Sequence, residues 1–96
     1  MEGNNTRQLE KIFKALANRR RLAILHFLAK EKELSVAEIA RRIKLSFTST
    51  SKHLAILRQL DIVDRRQEGL TVHYSLADPF PHLIKQFLPI ISNSRE

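Results

Sequence analysis

The sequence predicts a mainly α-helical domain with one small β-hairpin, and three observations support this fold class. Two helix patterns follow each other between residues 35 and 60, separated only by Lys44-Leu45-Ser46. Two short alternating stretches then flank Gly69, and further helix patterns stand on both sides of this segment. Two helices joined by a short turn and followed by a two-stranded ribbon form a winged helix-turn-helix, here in the order helix, helix, helix, recognition helix, wing, helix.

Two helices are predicted before residue 32. The first spans about residues 6 to 17, with Thr6 as its cap and apolar residues at helical spacing. Asn18 is expected to cap the second helix, which runs from Arg19 to about Lys30 and buries a broad apolar face.

The basic run from Arg19 to Arg21 is unusual at a helix start, because cations there oppose the helix dipole. An acidic neighbour such as Glu10, or a phosphate of a bound partner, would compensate for these charges. We expect at most one of the three arginines to touch DNA, with the others solvated or in ion pairs.

The third predicted helix begins at a capping box. The Ser35 hydroxyl and the Glu38 carboxylate, three residues apart, satisfy each other's backbone amides, so the helix is expected to start at Val36. Apolar residues then recur at helical spacing as far as Ile43.

The fourth predicted helix, capped by Ser46, runs from Phe47 to about Leu60 and has two unlike faces. Thr50, Leu54 and Leu57 face the core, whereas short hydroxyls and nitrogen donors crowd the first two turns. Such side chains suit base edges and phosphates, although a frayed polar helix start explains the same cluster. The predicted DNA-contacting residues of this helix are Thr48, Ser49, Ser51, Lys52 and His53.

The predicted wing consists of a strand over residues 62 to 67 and a returning strand over residues 70 to 76, with Gly69 at the turn. Arg65 and Arg66 are predicted to hold phosphates beside the groove. Solvated charges that protect an edge strand are the alternative explanation for this arginine pair.

A last helix is predicted over about residues 79 to 92, with Asp78 and Pro79 as its cap and first turn and a kink or end at Pro89. Its stripe is more apolar than one-sided packing requires, which indicates a homodimer interface formed with the first helix. Full burial within one chain is the alternative. The predicted interface residues are Leu9, Ile12, Phe13, Phe80, Leu83, Ile84, Phe87, Leu88 and Ile91.

Composition limits the class of protein. The 96 residues fit one domain, and 17 Lys and Arg against 10 Asp and Glu leave a formal charge of +7, which favours a polyanion such as double-stranded DNA. Charge alone also fits a basic ribosome-associated protein. The absence of cysteine excludes disulfides and thiolate metal sites. Residues 1 to 5 lack the pattern of a signal peptide and no long apolar run occurs, so we expect a cytoplasmic protein without membrane contact.

Three ordered motifs resemble those of the ArsR family. Residues 15 to 25, ALANRRRLAIL, are similar to its signature ALADPTRLAIL, and residues 51 to 58, SKHLAILR, resemble SxHLxxLR. Residues 62 to 76 are similar to its wing pattern LVxxRREGRxxYYSL, so the likeness spans about residues 9 to 92. The resemblance implies a transcription repressor that dimerises through its first and last helices and leaves DNA when an inducer, often a metal ion, binds.

Departures from the family patterns argue against a metal inducer. Relatives that sense arsenic or cadmium carry ELCVCDL on the third helix, and this chain has Ser35 and Ala37 in place of both cysteines. The zinc-sensor pattern D-x-H also fails, because Phe80 follows Asp78 where a histidine belongs. We therefore predict no metal or other cofactor, and the inducer stays open. Phe47 and Leu70 replace polar residues at two family positions near DNA.

The sequence offers no set of nucleophile, base and orienting group, so we predict that the chain is not an enzyme. Two functions remain. One is a sequence-specific repressor that binds an inverted repeat, and the other is a winged-helix module that binds a protein or binds nucleic acid without sequence preference.

Overall fold

The computed structural model describes residues 6 to 94 and confirms the mainly helical class with a small antiparallel sheet. Residues 1 to 5, on which the signal-peptide argument depends, lie outside this range. Within it, no helix has both the length and the apolar character needed to cross a bilayer. The elements are α1 (Thr6–Leu16), α2 (Arg19–Glu31), β1 (Glu33–Ser35), α3 (Val36–Ile43), α4 (Phe47–Gln59), β2 (Val63–Glu68), β3 (Thr71–Leu76), α5 (His82–Lys85) and α6 (Leu88–Ser92).

Side-chain caps fix the starts of three helices, as predicted. Asn18 accepts from two backbone amides of the first turn of α2, at 3.0 and 3.1 Å. The capping box of α3 is complete, since the Glu38 amide donates to Ser35 Oγ (3.1 Å) and the Ser35 amide donates to Glu38 Oε1 (2.8 Å). Ser46 Oγ accepts from the amide of Ser49 at the start of α4 (3.1 Å). Thr6 lies within α1 and not before it.

The sheet has one more strand than the sequence predicted. Strand order is β1-β3-β2, with both pairings antiparallel, and β1 is the three-residue segment that leads into the α3 capping box. Glu68 pairs with Thr71 across a two-residue turn in which Gly69 adopts a φ of +61°, a left-handed conformation that favours glycine. The predicted wing turn is thereby confirmed.

The register of the strands divides their side chains between two faces. Residues directly opposite each other share a face, and successive residues alternate. Buried Tyr74 is opposite Leu34 on one side and Arg65 on the other, and these belong to the inner face, which packs on the helices. His73 and its partner Arg66 belong to the outer face.

The core joins α2, α3, α4 and the inner face of the sheet. Leu54, Leu57 and Thr50 on α4 have no exposed surface, which confirms the core-facing side predicted for this helix. Ile24 and Leu25 of α2 are equally buried against them in the same apolar cluster. The position of α4 is therefore fixed from one side by its own buried residues.

The C-terminal helix differs from its prediction. Asp78 and Pro79 form a bend and cap no helix, because α5 begins only after Pro81. The Asp78 amide instead donates to the Asp64 carboxylate on β2 (3.3 Å). A break before α6 agrees with the effect predicted for Pro89, since a proline in the first turn of α6 has no amide to continue a helix from α5.

Candidate nucleic-acid interface

Helix α4 presents a polar, exposed surface opposite its buried side. Thr48 and Lys52, four residues apart, are exposed on the face that the core leaves free, and Ser49 and Ser51 flank them half-buried. The sequence-predicted hydroxyl and nitrogen donors therefore share one accessible half of the helix. Ala55 and Gln59 continue this face and were missed, because their residue types carry no distinctive signal.

His53, in the second turn of α4, is half-buried. Burial lowers the pKa of His53, and the positive charges of Arg21 and Arg20 lower this pKa further. Its Nδ1 atom is buried and has no hydrogen-bond partner in the part of the chain that the structure describes. The imidazole is therefore neutral at pH 7, and it offers a hydrogen-bonding group instead of a charge.

The two wing arginines lie on opposite faces of the sheet. Arg65, on the inner face beyond the core, lines an open cleft between α4 and β2 together with Arg58 and Gln59. Within residues 6 to 94 neither Arg65 nor Arg58 makes an ion pair. Two guanidinium groups are thus free for a partner beside the exposed face of α4.

Arg66 is held by carboxylates on the outer face. Its Nε and Nη2 atoms donate to the two oxygens of Glu33 on β1, at 3.1 and 2.8 Å, and Glu68 lies 3.5 Å from Nη1. This bond lowers the pKa of Glu33 and raises the pKa of Arg66. Arg65 and Arg66 were predicted as a pair of phosphate contacts, but strand alternation separates them and the Glu33 carboxylate already occupies Arg66.

An apolar groove lies between α1 and α6. Phe13 is 47% exposed and Ile90 is 69% exposed, and with Phe87 they border a cavity of about 300 Å³. Among the residues predicted for a dimer interface, Ile12, Ile84 and Ile91 are 5%, 0% and 7% exposed, so most of their surface packs within the single chain. The other predicted residues are half-buried or exposed, and Ile90 is an exposed residue that the prediction omitted.

The histidines do not converge on a metal site. Within residues 6 to 94, no group of three or more His, Cys, Asp or Glu side chains is placed to hold a metal ion. His26 is buried, and its Nδ1 lies 3.1 Å from the carbonyl oxygen of Ile91, within hydrogen-bond distance. His26 thereby joins α2 to α6.

Comparisons with known proteins agree on one family. The model of the family described as "Bacterial regulatory protein, arsR family" matches residues 18 to 65. The transcriptional activator HlyU of Vibrio cholerae is 44% identical over 77 residues, which cover 80% of this chain and 69% of that protein. The chain spans 49 to 69% of the length of such curated relatives.

Solved structures extend the likeness to nearly the whole chain. HlyU from Vibrio cholerae superposes with a TM-score of 0.77 at 38% identity, covering 95% of this chain and 94% of that one. The homodimeric winged helix-turn-helix DNA-binding domain of Mb0332 from Mycobacterium bovis, a possible ArsR-family regulator, gives 0.73 at 31% identity, covering 95% and 86%. The predicted fold, winged helix-turn-helix, is confirmed.

Proposed function

The chain belongs to the ArsR family of bacterial regulatory proteins, and from this membership we propose that it is a cytoplasmic transcriptional repressor that binds an inverted repeat in double-stranded DNA as a homodimer. The observation that carries the proposal is the exposed half of α4, where Thr48 and Lys52 stand clear of the core beside the free guanidinium of Arg65. A rigid helix with donors on its free face suits the major groove, whose base edges carry a distinct hydrogen-bonding code.

Each predicted contact has a specific part in this proposal. The hydroxyls of Thr48, Ser49 and Ser51 approach base edges and phosphates, and Lys52 neutralises the backbone. His53, neutral and half-buried, braces these side chains. Arg65 contacts a flanking phosphate, whereas Arg66 supports the wing through Glu33.

The homodimer part of the proposal is supported by the apolar groove between α1 and α6. Exposed Phe13, Phe87 and Ile90 leave an apolar surface that a second copy of the chain would cover. A two-fold dimer places two α4 helices on half-sites separated by one or more turns of the duplex. Promoter occlusion then follows from occupancy of the operator.

Selection from random duplexes at moderate salt tests this function. We expect an enriched inverted repeat, an affinity that falls steeply with salt and repression of a reporter gene that carries the repeat. Ser51→Ala and Lys52→Ala are expected to weaken this binding without changing the mass of the dimer. Failure to enrich any motif contradicts the proposal.

A protein-binding module is the second candidate, and two exposed apolar residues favour it. Phe47 at the start of α4 is 59% exposed, and Leu70 at the wing tip is fully exposed. If Ser51→Ala and Lys52→Ala leave DNA affinity unchanged while Phe47→Ala abolishes capture of a protein partner, this second candidate replaces the first.

A further inference from the structure

The three arginines at the start of α2 lack the compensation that the sequence suggested. Residues 19 to 21 form the first turn of α2, where no acidic residue lies, although cations oppose the dipole there. Glu10, the acidic residue expected to compensate for these arginines, instead pairs with Lys14, whose Nζ lies 3.6 Å from Glu10 Oε2.

Two of the arginines bind helix ends. Arg21 Nε donates to the carbonyl of Ala15 near the end of α1 (2.9 Å), and Arg20 Nη1 donates to the carbonyl of Ile43, the last residue of α3 (2.5 Å). Carbonyls at a helix C-terminus carry partial negative charge, so both guanidinium groups are well placed. Arg19 is exposed and forms no side-chain hydrogen bond or ion pair in the part of the chain that the structure describes.

Arg19 lines a cavity of about 350 Å³, which we name the basic cavity. Exposed Lys44 also lines it and makes no ion pair within residues 6 to 94. Arg42 is positioned by Glu31, 3.5 Å away, yet its Nη1 atom is buried without a hydrogen-bond partner among the described residues. The cavity is lined by Arg19, Arg20, Arg42, Ile43 and Lys44.

The chemistry of the basic cavity fits an anion. Four of its five lining residues are cationic, and no carboxylate is among them. Like charges brought together raise the energy of the free protein, and an anion bound among them adds attractive interactions that offset this repulsion. Arg20 and Arg42 are held by their own bonds, so part of this site is organised before any ligand arrives.

The basic cavity adjoins α4. Lys44 stands two residues before Ser46, which caps that helix. On the other side, Arg20 is close enough to His53, in the second turn of α4, to influence its charge. The basic cavity and the N-terminal half of α4 are therefore neighbours in the fold.

We infer that the basic cavity binds a backbone phosphate of the DNA that α4 enters, an inference that rests on the proposed function. Arg19 and Lys44 contact the phosphate, while Arg20 and Arg42, held by their own bonds, add positive charge to the same cavity. Such a contact positions the protein on the duplex without reading its sequence.

The test compares the salt dependence of DNA binding in Arg19→Gln, Lys44→Gln and a matched control, Lys30→Gln, which removes the same charge from the opposite end of α2. Each cavity variant is expected to reduce the slope of log K against log salt by about 0.9, the value for one phosphate contact. Affinity should fall equally for the selected operator and for its point variants. The control should leave both quantities unchanged.

Two further readouts make the result decisive. Arg19→Gln should keep or raise the melting temperature, because it removes a cation that opposes the dipole, so a loss of affinity cannot come from unfolding. Phosphate ethylation should identify one backbone position that matters to the wild type and not to Arg19→Gln. The inference is overturned if the salt slopes of Arg19→Gln and Lys44→Gln equal that of Lys30→Gln, or if ethylation identifies no such backbone position. If the protein selects no DNA sequence, the proposed function is contradicted instead. The slopes can then be measured on any duplex that the protein binds, and they still test whether the basic cavity binds a phosphate.

Discussion

Single residues determine where α3 begins, and through α3 they set the position of α4. Ser35 and Glu38 exchange two hydrogen bonds at this point, and the α3 backbone then leads through a three-residue turn to the cap of α4. Loss of the Ser35 hydroxyl leaves the Glu38 amide without its acceptor. The consequence is a measurable loss of stability at a residue that touches no proposed ligand.

We expect Ser35→Ala to lower the free energy of unfolding by about 1 kcal/mol, the typical cost of losing a helix cap. Ser75→Ala, on the neighbouring strand β3, is the control and should cost less. Urea unfolding measures both values at pH 7. An equal effect of the two substitutions would show that the capping bond does not stabilise the protein.

The same capping box predicts a dependence on pH. Hydrogen bonds from Ser35 lower the pKa of Glu38 below its ordinary value of 4.5. This contribution to stability is therefore complete above pH 4.5 and is lost as the pH falls through the lowered pKa of the folded state. Unfolding of Glu38→Gln should lack this part of the acid dependence, and an unchanged acid profile would contradict the assignment.

Residue-scale features were predictable where the partners are close in sequence. The caps formed by Asn18, Ser35 and Ser46 each depend on residues two or three positions away, so the sequence contains both partners. The partner of Arg66 is 33 residues distant, across a strand that was not predicted. The sequence therefore predicted two phosphate-binding arginines where the structure has one free arginine and one ion pair.

At the scale of elements, the bond between Glu33 and Arg66 ties the wing to the body of the domain. It joins the two outer strands β1 and β2 across β3, on the face that does not touch the helices. Exposed ion pairs contribute little to the free energy of unfolding, but bidentate geometry holds both groups in one orientation. We therefore expect this bond mainly to restrict the motion of the wing.

Glu33→Gln is expected to increase amide hydrogen exchange in β2 and β3 while changing the melting temperature little. Glu68→Gln is the matched control, because it removes the same charge from a longer contact to Arg66 at 3.5 Å. As the pH falls below 4.5 and then through the lowered pKa of Glu33, the wild type should approach the behaviour of Glu33→Gln, because the carboxylate that holds Arg66 becomes protonated. Equal hydrogen exchange in both variants would show that the bond between Glu33 and Arg66 does not restrict the motion of the wing.

At the scale of elements, the ends of the two longest described helices agree with those predicted from the sequence. The helices α2 and α4 each have 13 residues and were predicted within one residue of their observed ends. Strand β1 has only three residues, too few for an alternating pattern, and forms because β3 offers it an edge. The last helix was predicted over residues 79 to 92 with a kink or end at Pro89, whereas the structure has a short α5 that begins at His82 and a separate α6 that begins at Leu88.

At the scale of the whole molecule, the chain is small and strongly basic, and it leaves a hydrophobic surface uncovered. A domain of this size buries a limited fraction of its surface, so a second copy adds apolar burial that one chain cannot supply. Phe13 and Ile90 are large apolar residues that the single chain leaves exposed. The sequence indicated the surplus of apolar residues, but it did not show which of them the core would take.

Ile90→Glu should therefore separate the homodimer into folded monomers of 11.2 kDa, because a carboxylate placed in the groove would lose its hydration without a counter-charge. Sedimentation equilibrium measures the mass, and circular dichroism checks the helices. Leu70→Glu, which adds the same charge at the exposed wing tip, is the control and should remain dimeric. Affinity for the inverted repeat should fall about 100-fold or more in Ile90→Glu, because the two half-sites are then bound independently. If Ile90→Glu stays dimeric, the interface lies elsewhere on the chain. If the wild type is monomeric at micromolar concentration, the proposed homodimer is contradicted.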